Sequence, residues 1–302
     1  MEIEHEGHPA HRLVAGDLAA VWVPSVGMVG ASLTQRGEEL LALRAGLGAC
    51  AERAKTFGIP LLHPWANRIG GDAYTVDGTT VDLTAAPAMR RDPDHGVPIH
   101  GLTAASPDWR VEDASDTTLA ATLDYGANED LLAGFPFPHT LTVRVRLEPT
   151  ALTVDTTLTP TGDVAVPIAF GWHPYFVIPG VPRAQWEIEL PARRALLVDE
   201  RQIPTGETRA VDADAGPLGD RAFDDGYDEL ASPVFAVAGG GRRIEVEFGA
   251  EYPVAQVFAP LAHDLIAIEP MTAPADALRS HAGLRFAAPG EPFSARFSVR
   301  PA

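Results

Sequence analysis

Glycine and proline interrupt this chain along its whole length, and they constrain its fold more than any other feature of the sequence. The 302 residues include 28 glycines and 27 prolines, which are not gathered into one linker. Proline removes a backbone donor and glycine costs conformational entropy, so long helices are disfavoured. The pattern predicts many short strands joined by turns and excludes a mainly helical protein.

Apolar residues that alternate with polar ones support the strand prediction. The alternation is clear in residues 140–147, 242–248 and 293–299. Each segment would have one buried and one solvated face, as a half-buried strand does. Between such segments lie turn residues, and Asp77-Gly78 suits a two-residue hairpin with positive φ angles.

Helices are expected to be few and short, at residues 38–44, 49–57 and 274–281. The sequence has neither an internal repeat of 20–50 residues nor a change in composition that would mark a linker. We therefore predict a single domain over residues 1–302. Its fold class would be all-β, a large antiparallel β-sandwich with few short helices.

Charge and targeting features limit the partners. The formal net charge is −18 and the isoelectric point is near 4.8. Such a surface repels phosphate backbones and anionic membranes, so no nucleic-acid or membrane partner is expected. The N-terminal residues lack the features of a signal peptide, and no apolar run is long enough to cross a membrane. We expect a cytoplasmic protein, a monomer or a homodimer, whose partner is a small molecule.

Motifs for nucleotide-dependent and serine-hydrolase chemistry are missing from the sequence. It contains neither a phosphate-binding Gly-x-x-x-x-Gly-Lys loop nor a Gly-x-Ser-x-Gly nucleophile motif. The single cysteine, Cys50, cannot form an internal disulfide or a thiolate metal cage. We expect no cofactor and no metal.

Polar side chains that could carry chemistry lie within four apolar segments: Asn67-Arg68, His100, Trp172-His173 and Glu269. Burial of a carboxylate such as Glu269 would raise its pKa towards that of a useful base. The aromatic residues around His173 could stack on the C–H face of a sugar. The alternative interpretations are a structural salt bridge that closes the loop at Asn67-Arg68, a structural pairing of Glu269 with Arg68, and core histidines with ordinary hydrogen bonds.

Taken in order, these motifs resemble those of the aldose 1-epimerase (mutarotase) family. The resemblance extends from about residue 20 to the C-terminus and rests on Asn67-Arg68-Ile69, Ile99-His100-Gly101, Trp172-His173-Pro-Tyr-Phe, Asp224-Asp225-Gly-Tyr227 and Glu269-Pro-x-Thr-x-Pro-x-Asp276-Ala. It implies the antiparallel supersandwich of that family. It also implies an isomerase that interconverts the α and β anomers of a free aldohexose, without a cofactor.

The resemblance also implies roles for individual residues. Glu269 matches the base that acts on the anomeric hydroxyl, and His173 matches the acid that acts on the ring oxygen. One positioned acid and one base each contribute roughly 10²–10⁴-fold to such a reaction. We expect these two side chains to face one pocket, about the width of a pyranose ring apart.

Sugar-binding roles are implied for His100 and Arg68, which match positions that hydrogen-bond the ring and anomeric oxygens. Asn67 would support Arg68, and Trp172 would contribute an aromatic face. An aspartate would hold the sugar hydroxyls, and the motif places it at Asp224. The neighbouring Asp225 and Asp228 remain alternatives.

Two other functions remain open on the sequence. One is a hexose-6-phosphate 1-epimerase, for which Arg90-Arg91 would bind the phosphate. The acidic composition argues against that substrate. The other is a non-catalytic carbohydrate-binding or sensing protein, against which the presence of both Glu269 and His173 argues.

Overall fold

A computed structural model describes residues 1–42, 46–53 and 55–302. Within these residues 26 strands run in chain order. They are β1 (Glu2–His5), β2 (His8–Ala15), β3 (Leu18–Val23), β4 (Val29–Gln35), β5 (Glu38–Glu39), β6 (Leu61–Leu62), β7 (Ala73–Val76), β8 (Thr79–Asp82), β9 (Arg110–Ala114), β10 (Thr118–Asp124), β11 (His139–Glu148), β12 (Ala151–Pro160), β13 (Val166–Ile168), β14 (Gly171–Trp172), β15 (Tyr175–Phe176), β16 (Glu187–Leu190), β17 (Arg193–Val198), β18 (Pro204–Val211), β19 (Asp214–Pro217), β20 (Phe223–Asp228), β21 (Val234–Gly239), β22 (Arg242–Phe248), β23 (Val254–Ala259), β24 (Ile266–Met271), β25 (Arg285–Ala287) and β26 (Phe293–Pro301).

Helices are short, as the sequence predicts. The described residues form three α-helices, α1 (Gly46–Arg53), α2 (Glu129–Gly134) and α3 (Ala277–Ser280), together with three 3₁₀ turns. The expected helix at 274–281 contains α3, and the one at 49–57 overlaps α1, with residue 54 outside the described residues. The expected helix at 38–44 is wrong at its start, where β5 forms instead, and residues 43–45 lie outside the described residues.

Two large antiparallel sheets dominate the fold, as the sequence predicts. One has nine strands in the order β19-β16-β21-β22-β26-β12-β11-β10-β9. The other has eight, in the order β18-β17-β20-β23-β24-β14-β6, with β15 pairing to β24. A five-stranded sheet contains β1 to β5 in sequence order, and two strand pairs, β7-β8 and β13-β25, complete the set.

The main hydrophobic core lies between the two large sheets. Val257 and Ile268 of the eight-stranded sheet belong to the same buried cluster as Val154 and Phe297 of the nine-stranded one. Trp172 bridges the sheets, since its ring centroid lies 5.7 Å from that of Phe297. This packing is that of a β-sandwich and confirms the predicted fold class.

The turns expected from sequence are present. Val76 pairs with Thr79, and Asp77 and Gly78 between them both have positive φ angles, of 47° and 75°. These are the angles that a type I′ hairpin turn requires. Among the described residues no helix is long and apolar enough to cross a membrane.

Candidate functional site

The candidate site lies on the face of the eight-stranded sheet opposite to the core face. The register pairs Gln256 of β23 with Glu269 of β24, and Gly226 of β20 with Gln256. Side chains alternate along a strand, so Asp224, two residues from Gly226, shares this face. Val257 and Ile268, one residue away, point into the core. A carboxylate, an amide and a second carboxylate are thus collected on one surface.

Glu269 is almost completely buried, with 1% of its surface exposed. Its Oε1 lies 3.2 Å from Nε2 of His173, while its Oε2 is enclosed and has no hydrogen-bond partner among the described residues. Burial raises the pKa of Glu269 well above its usual value, and the charge of Asp224 raises it further against the opposing effect of Arg68. The carboxyl group is therefore a far stronger base than an exposed glutamate.

His173 is fixed by a backbone hydrogen bond and by stacking on an aromatic ring. Its backbone N–H donates to the carbonyl of Pro60 at 3.1 Å, and its ring stacks on Tyr175 with centroids 4.0 Å apart. Nε2 lies 3.0 Å from the Tyr175 hydroxyl as well as 3.2 Å from Glu269. The imidazole therefore has little rotational freedom, and one nitrogen faces both groups.

The separation of Glu269 and His173 differs from the sequence-based expectation of a ring's width. The two groups are in direct contact at 3.2 Å. This spacing has a chemical meaning, because the anomeric hydroxyl oxygen and the ring oxygen of a pyranose are bonded to the same carbon. An acid and a base that serve those two oxygens need to be neighbours.

His100 lies beside His173, with ring centroids 5.3 Å apart and ring planes nearly perpendicular. Burial lowers its pKa well below the usual value, and the positive charges of His173, Arg90 and Arg68 lower it further. The ring is therefore neutral near pH 7, with one nitrogen donating and the other accepting. Its Nδ1 is enclosed and has no partner among the described residues.

The backbone that presents His100 depends on a glycine. Gly101 has a φ of +67°, and a Cβ atom at this position would lie 2.1 Å from the carbonyl oxygen of His63. His100 itself has a φ of +61°, and its N–H donates to the carbonyl of Asn67 at 2.9 Å. At the His100-Gly101 pair the backbone thus passes close to that of His63, and this close approach fixes the orientation of the His100 imidazole.

Arg68 is tied to two carboxylates and an amide. Its Nε donates to Asp92 at 2.6 Å, its Nη2 to Asp224 at 3.2 Å and its Nη1 to the side-chain oxygen of Asn67 at 3.3 Å. No ion pair joins Arg68 to Glu269 in the described part of the chain. The alternative of a structural salt bridge between those two residues is therefore wrong.

Asp92 is a residue that sequence reasoning missed. It is 4% exposed, and although burial opposes it, hydrogen bonds from Arg68, the Asp94 backbone and His95 lower its pKa to about 2. It is therefore ionised and fixes the Arg68 fork. The acidic residue follows Arg90-Arg91 in a loop, where the sequence alone does not distinguish it from a surface carboxylate.

Of the three candidate aspartates, Asp224 is the one beside Arg68. Asp225 is exposed and lies on the opposite face of β20. Asp228 forms two hydrogen bonds of 2.7 Å with Arg194. Asp224 is therefore the candidate that lies next to Arg68, and its contact with a sugar stays a prediction.

Gln256 is a second site residue that sequence reasoning missed. It is 4% exposed, and its amide donates to Asp224 at 2.8 Å. Because it pairs across strands with Glu269, it lies between the two carboxylates. A single polar residue in the apolar strand Val254–Ala259 was the signal that could have identified it.

Trp172 does not belong to the group. It is fully buried, and its indole N–H donates to the hydroxyl of Thr156 at 3.0 Å. It lies on the core side of the sheet, edge-on to Trp22 with centroids 6.0 Å apart. The expectation that Trp172 stacks on a sugar is therefore corrected, because alternation places it opposite to the site.

Two hydrogen bonds tie the loop that carries Arg68 to Asp276, which follows strand β24. The Asp276 N–H donates to the carbonyl of Arg68 at 2.8 Å, and the Gly70 N–H donates to the Asp276 carboxylate at 2.8 Å. Within the described residues, no group of three or more histidine, cysteine, aspartate or glutamate side chains is arranged to hold a metal ion. The geometry as a whole suits proton transfer between a buried carboxyl, an imidazole and a bound polar ligand.

Comparison with known proteins identifies the family. The model of the family described as aldose 1-epimerase matches residues 15–300. The uncharacterized protein YihR of Escherichia coli K12 is 29% identical over 200 residues, which cover 64% of this chain and 58% of that relative.

Solved structures show the same fold. A galactose mutarotase-like protein from Clostridium acetobutylicum superposes with a TM-score of 0.84 at 18% identity, covering 100% of this chain and 98% of the other. A galactose 1-epimerase from Lactobacillus acidophilus superposes with a TM-score of 0.76 at 15% identity, covering 100% and 97%. The match of the family model across nearly the whole sequence shows that the chain belongs to the aldose 1-epimerase family.

Proposed function

We propose that the protein is an aldose 1-epimerase that interconverts the α and β anomers of an aldohexose whose anomeric hydroxyl is free. The observation that carries the proposal is the buried contact of 3.2 Å between Glu269 and His173. It joins a carboxyl whose pKa is raised by burial to an imidazole that lies beside His100. Membership of the family supports a carbohydrate epimerase as the general activity.

The reaction follows from these two groups. The Glu269 carboxylate takes the proton of the anomeric hydroxyl, and the bond between the anomeric carbon and the ring oxygen breaks. The bond's electron pair goes to the ring oxygen, which receives a proton from His173. The product is the open-chain aldehyde, with Glu269 protonated and His173 neutral.

Closure reverses these proton transfers on the other face of the aldehyde. After rotation about the bond between the first two carbons, neutral His173 takes the proton from the hydroxyl that attacks the carbonyl. Glu269 returns its proton to the carbonyl oxygen. Both groups regain their starting states, so turnover requires no proton from solvent.

The remaining residues would bind and orient the sugar. Arg68 and neutral His100 can donate hydrogen bonds to the oxygens around the anomeric centre. Asp224, held by Gln256, can accept from sugar hydroxyls. Asn67 supports the Arg68 guanidinium. Positioning of this kind converts binding energy into alignment with the acid and the base.

Polarimetry with freshly dissolved α-glucose and α-galactose tests the proposal. The wild-type protein is expected to accelerate equilibration, and Glu269→Gln is expected to lower kcat by at least about 10²-fold because the base is removed. The exposed Glu112→Gln variant is the matched control and should retain the wild-type rate.

Two results would count against this function. An unchanged equilibration rate across a panel of aldoses would refute epimerase activity. Calorimetric sugar binding without any effect on anomer exchange would instead favour a non-catalytic carbohydrate-binding protein.

A further inference from the structure

A second arginine, Arg90, lies at the edge of the candidate site. Its backbone carbonyl accepts a hydrogen bond from the N–H of Ile99 at 3.0 Å, and its Nη2 donates to the carbonyl of His100 at 3.2 Å. His100 in turn lies against His173. The Arg90 guanidinium is therefore next to the segment that presents one of the proposed sugar-binding residues.

Arg90 differs from neighbouring arginines because no counter-charge lies beside it in the described part of the chain. Among the described residues no carboxylate forms an ion pair with it. Arg91 is paired with Asp72 at 2.7 Å, and Arg68 with Asp92 and Asp224. Its one hydrogen bond to a described residue is the bond to the His100 carbonyl.

The guanidinium is desolvated yet still accessible. Arg90 is half-buried, and burial lowers its pKa to about 10, against small opposing effects of Cys50 and Tyr175. It therefore stays cationic at neutral pH. The side chain is partly exposed, and its Nε and Nη1 form no hydrogen bond with a described residue.

A partly desolvated cation that lacks a counter-charge among the described residues is costly unless a ligand supplies one. The planar fork of arginine matches oxyanions such as carboxylate and phosphate, with which it forms charge-assisted hydrogen bonds. The net charge of −18 repels anions at long range, so capture of an anionic ligand needs a local cation of this kind.

Building on the proposed function, we infer that Arg90 recognises an oxyanion substituent on the sugar. The substrate would then be an anionic aldose, a sugar carboxylate or a sugar phosphate, with its anomeric centre at Glu269 and His173. This assignment makes Arg90 a residue that determines specificity.

The test compares anomer exchange for glucose, glucuronate and glucose 6-phosphate by polarimetry and exchange NMR. The wild-type protein should have a higher kcat/KM for at least one of the anionic sugars than for glucose. Arg90→Gln should reduce that preference, the ratio of the two kcat/KM values, roughly 10- to 100-fold by removing charge-assisted hydrogen bonds. The two anionic sugars distinguish a carboxylate from a phosphate ligand.

Arg91→Gln is the matched control, because it removes the same charge one residue away from an exposed ion pair. It should leave the preference unchanged within about twofold. An equal loss in both variants would mean that the effect is long-range electrostatics, and an equal loss for all three sugars in Arg90→Gln would mean that Arg90 only supports His100. Either result overturns the inference.

Calorimetry on the same proteins separates this inference from the proposed function. Binding of an anionic sugar that depends on Arg90, without anomer exchange, would support the inference and refute the epimerase. Turnover of glucose without preference for either anionic sugar would support the epimerase and refute the inference. If no sugar were bound or turned over, both would be refuted.

Discussion

A buried pair of histidines, His63 and His139, is expected to make the folded state sensitive to mild acid. Both are fully buried, and their Nε2 atoms lie 2.8 Å apart. The Nδ1 of His139 lies 2.6 Å from the carbonyl of Phe137, so it carries the proton and leaves Nε2 as an acceptor for His63. Protonation of His139 would bring two N–H groups face to face.

The magnitude follows from the pKa values. Burial lowers the pKa of His139 to about 4, with partial compensation from the Phe137 carbonyl, whereas an unfolded histidine titrates near 6.5. Between these values the unfolded chain binds a proton that the native protein does not. Stability is therefore lost as the pH falls from about 6.5 to 4, by about 1.4 kcal/mol per pH unit and about 3 kcal/mol in all. His63, whose pKa burial and His139 also lower, acts in the same direction.

Urea unfolding at pH 7, 6, 5 and 4 measures this loss. In His139→Gln, whose amide can still meet both neighbours, the free energy of unfolding should fall between pH 7 and 4 by about 3 kcal/mol less than in the wild type. His263→Gln removes an exposed histidine and serves as the control. If the pH dependence of unfolding is the same in the wild type and His139→Gln, the reasoning is refuted.

Two further substitutions test the supports of the site. Asp92→Asn should raise KM about tenfold because Arg68 is displaced. It should also remove about 2–3 kcal/mol of stability at pH 7, which the wild type loses only as the pH falls from about 4 to 2. Steady-state kinetics and unfolding measured as a function of pH check these two effects, and a free energy of unfolding with the same dependence on pH below about 4 in both proteins would contradict the Arg68–Asp92 pairing. Gly101→Ala should lower the free energy of unfolding by more than about 3 kcal/mol, because both backbone strain and a clash with the backbone oppose the new methyl group. Gly78→Ala is the control, since Gly78 has a similar φ of +75° but open space around it, and it should cost only about 1 kcal/mol of strain. Thermal unfolding compares the two variants, and equal losses of stability would show that the clash at residue 101 is relieved.

The sequence predicts the strands and turns well because both are local features. The alternation in residues 140–147 and the Asp77-Gly78 turn each follow from a few adjacent residues, and both agree with the structure. The helix expected from residue 38 is wrong because Glu39 hydrogen-bonds the backbone N–H groups of Leu33 and Leu41, which holds the short strand β5. Tertiary pairing overrides local preference there.

The site residues also divide into those that local sequence motifs identify and those that depend on tertiary pairing. His100 and His173 are in short motifs that the family resemblance identifies, and the structure brings them together. Gln256 is at the site because β23 pairs with β24 in one register, which no local pattern specifies. Trp172 was misplaced for the complementary reason, since its orientation depends on which face of β14 meets the nine-stranded sheet.

The hydrogen bonds that join Asp276 to Arg68 and Gly70 also bear on how the chain folds. The Gly70–Asp276 bond links residues 206 positions apart, so this contact beside Arg68 cannot form until the last third of the chain has docked on the first. Folding rates fall as contacts become more distant in sequence. Return of the proposed epimerase activity in a refolding experiment should therefore lag behind the recovery of strand content. The activity would then report when this late contact forms.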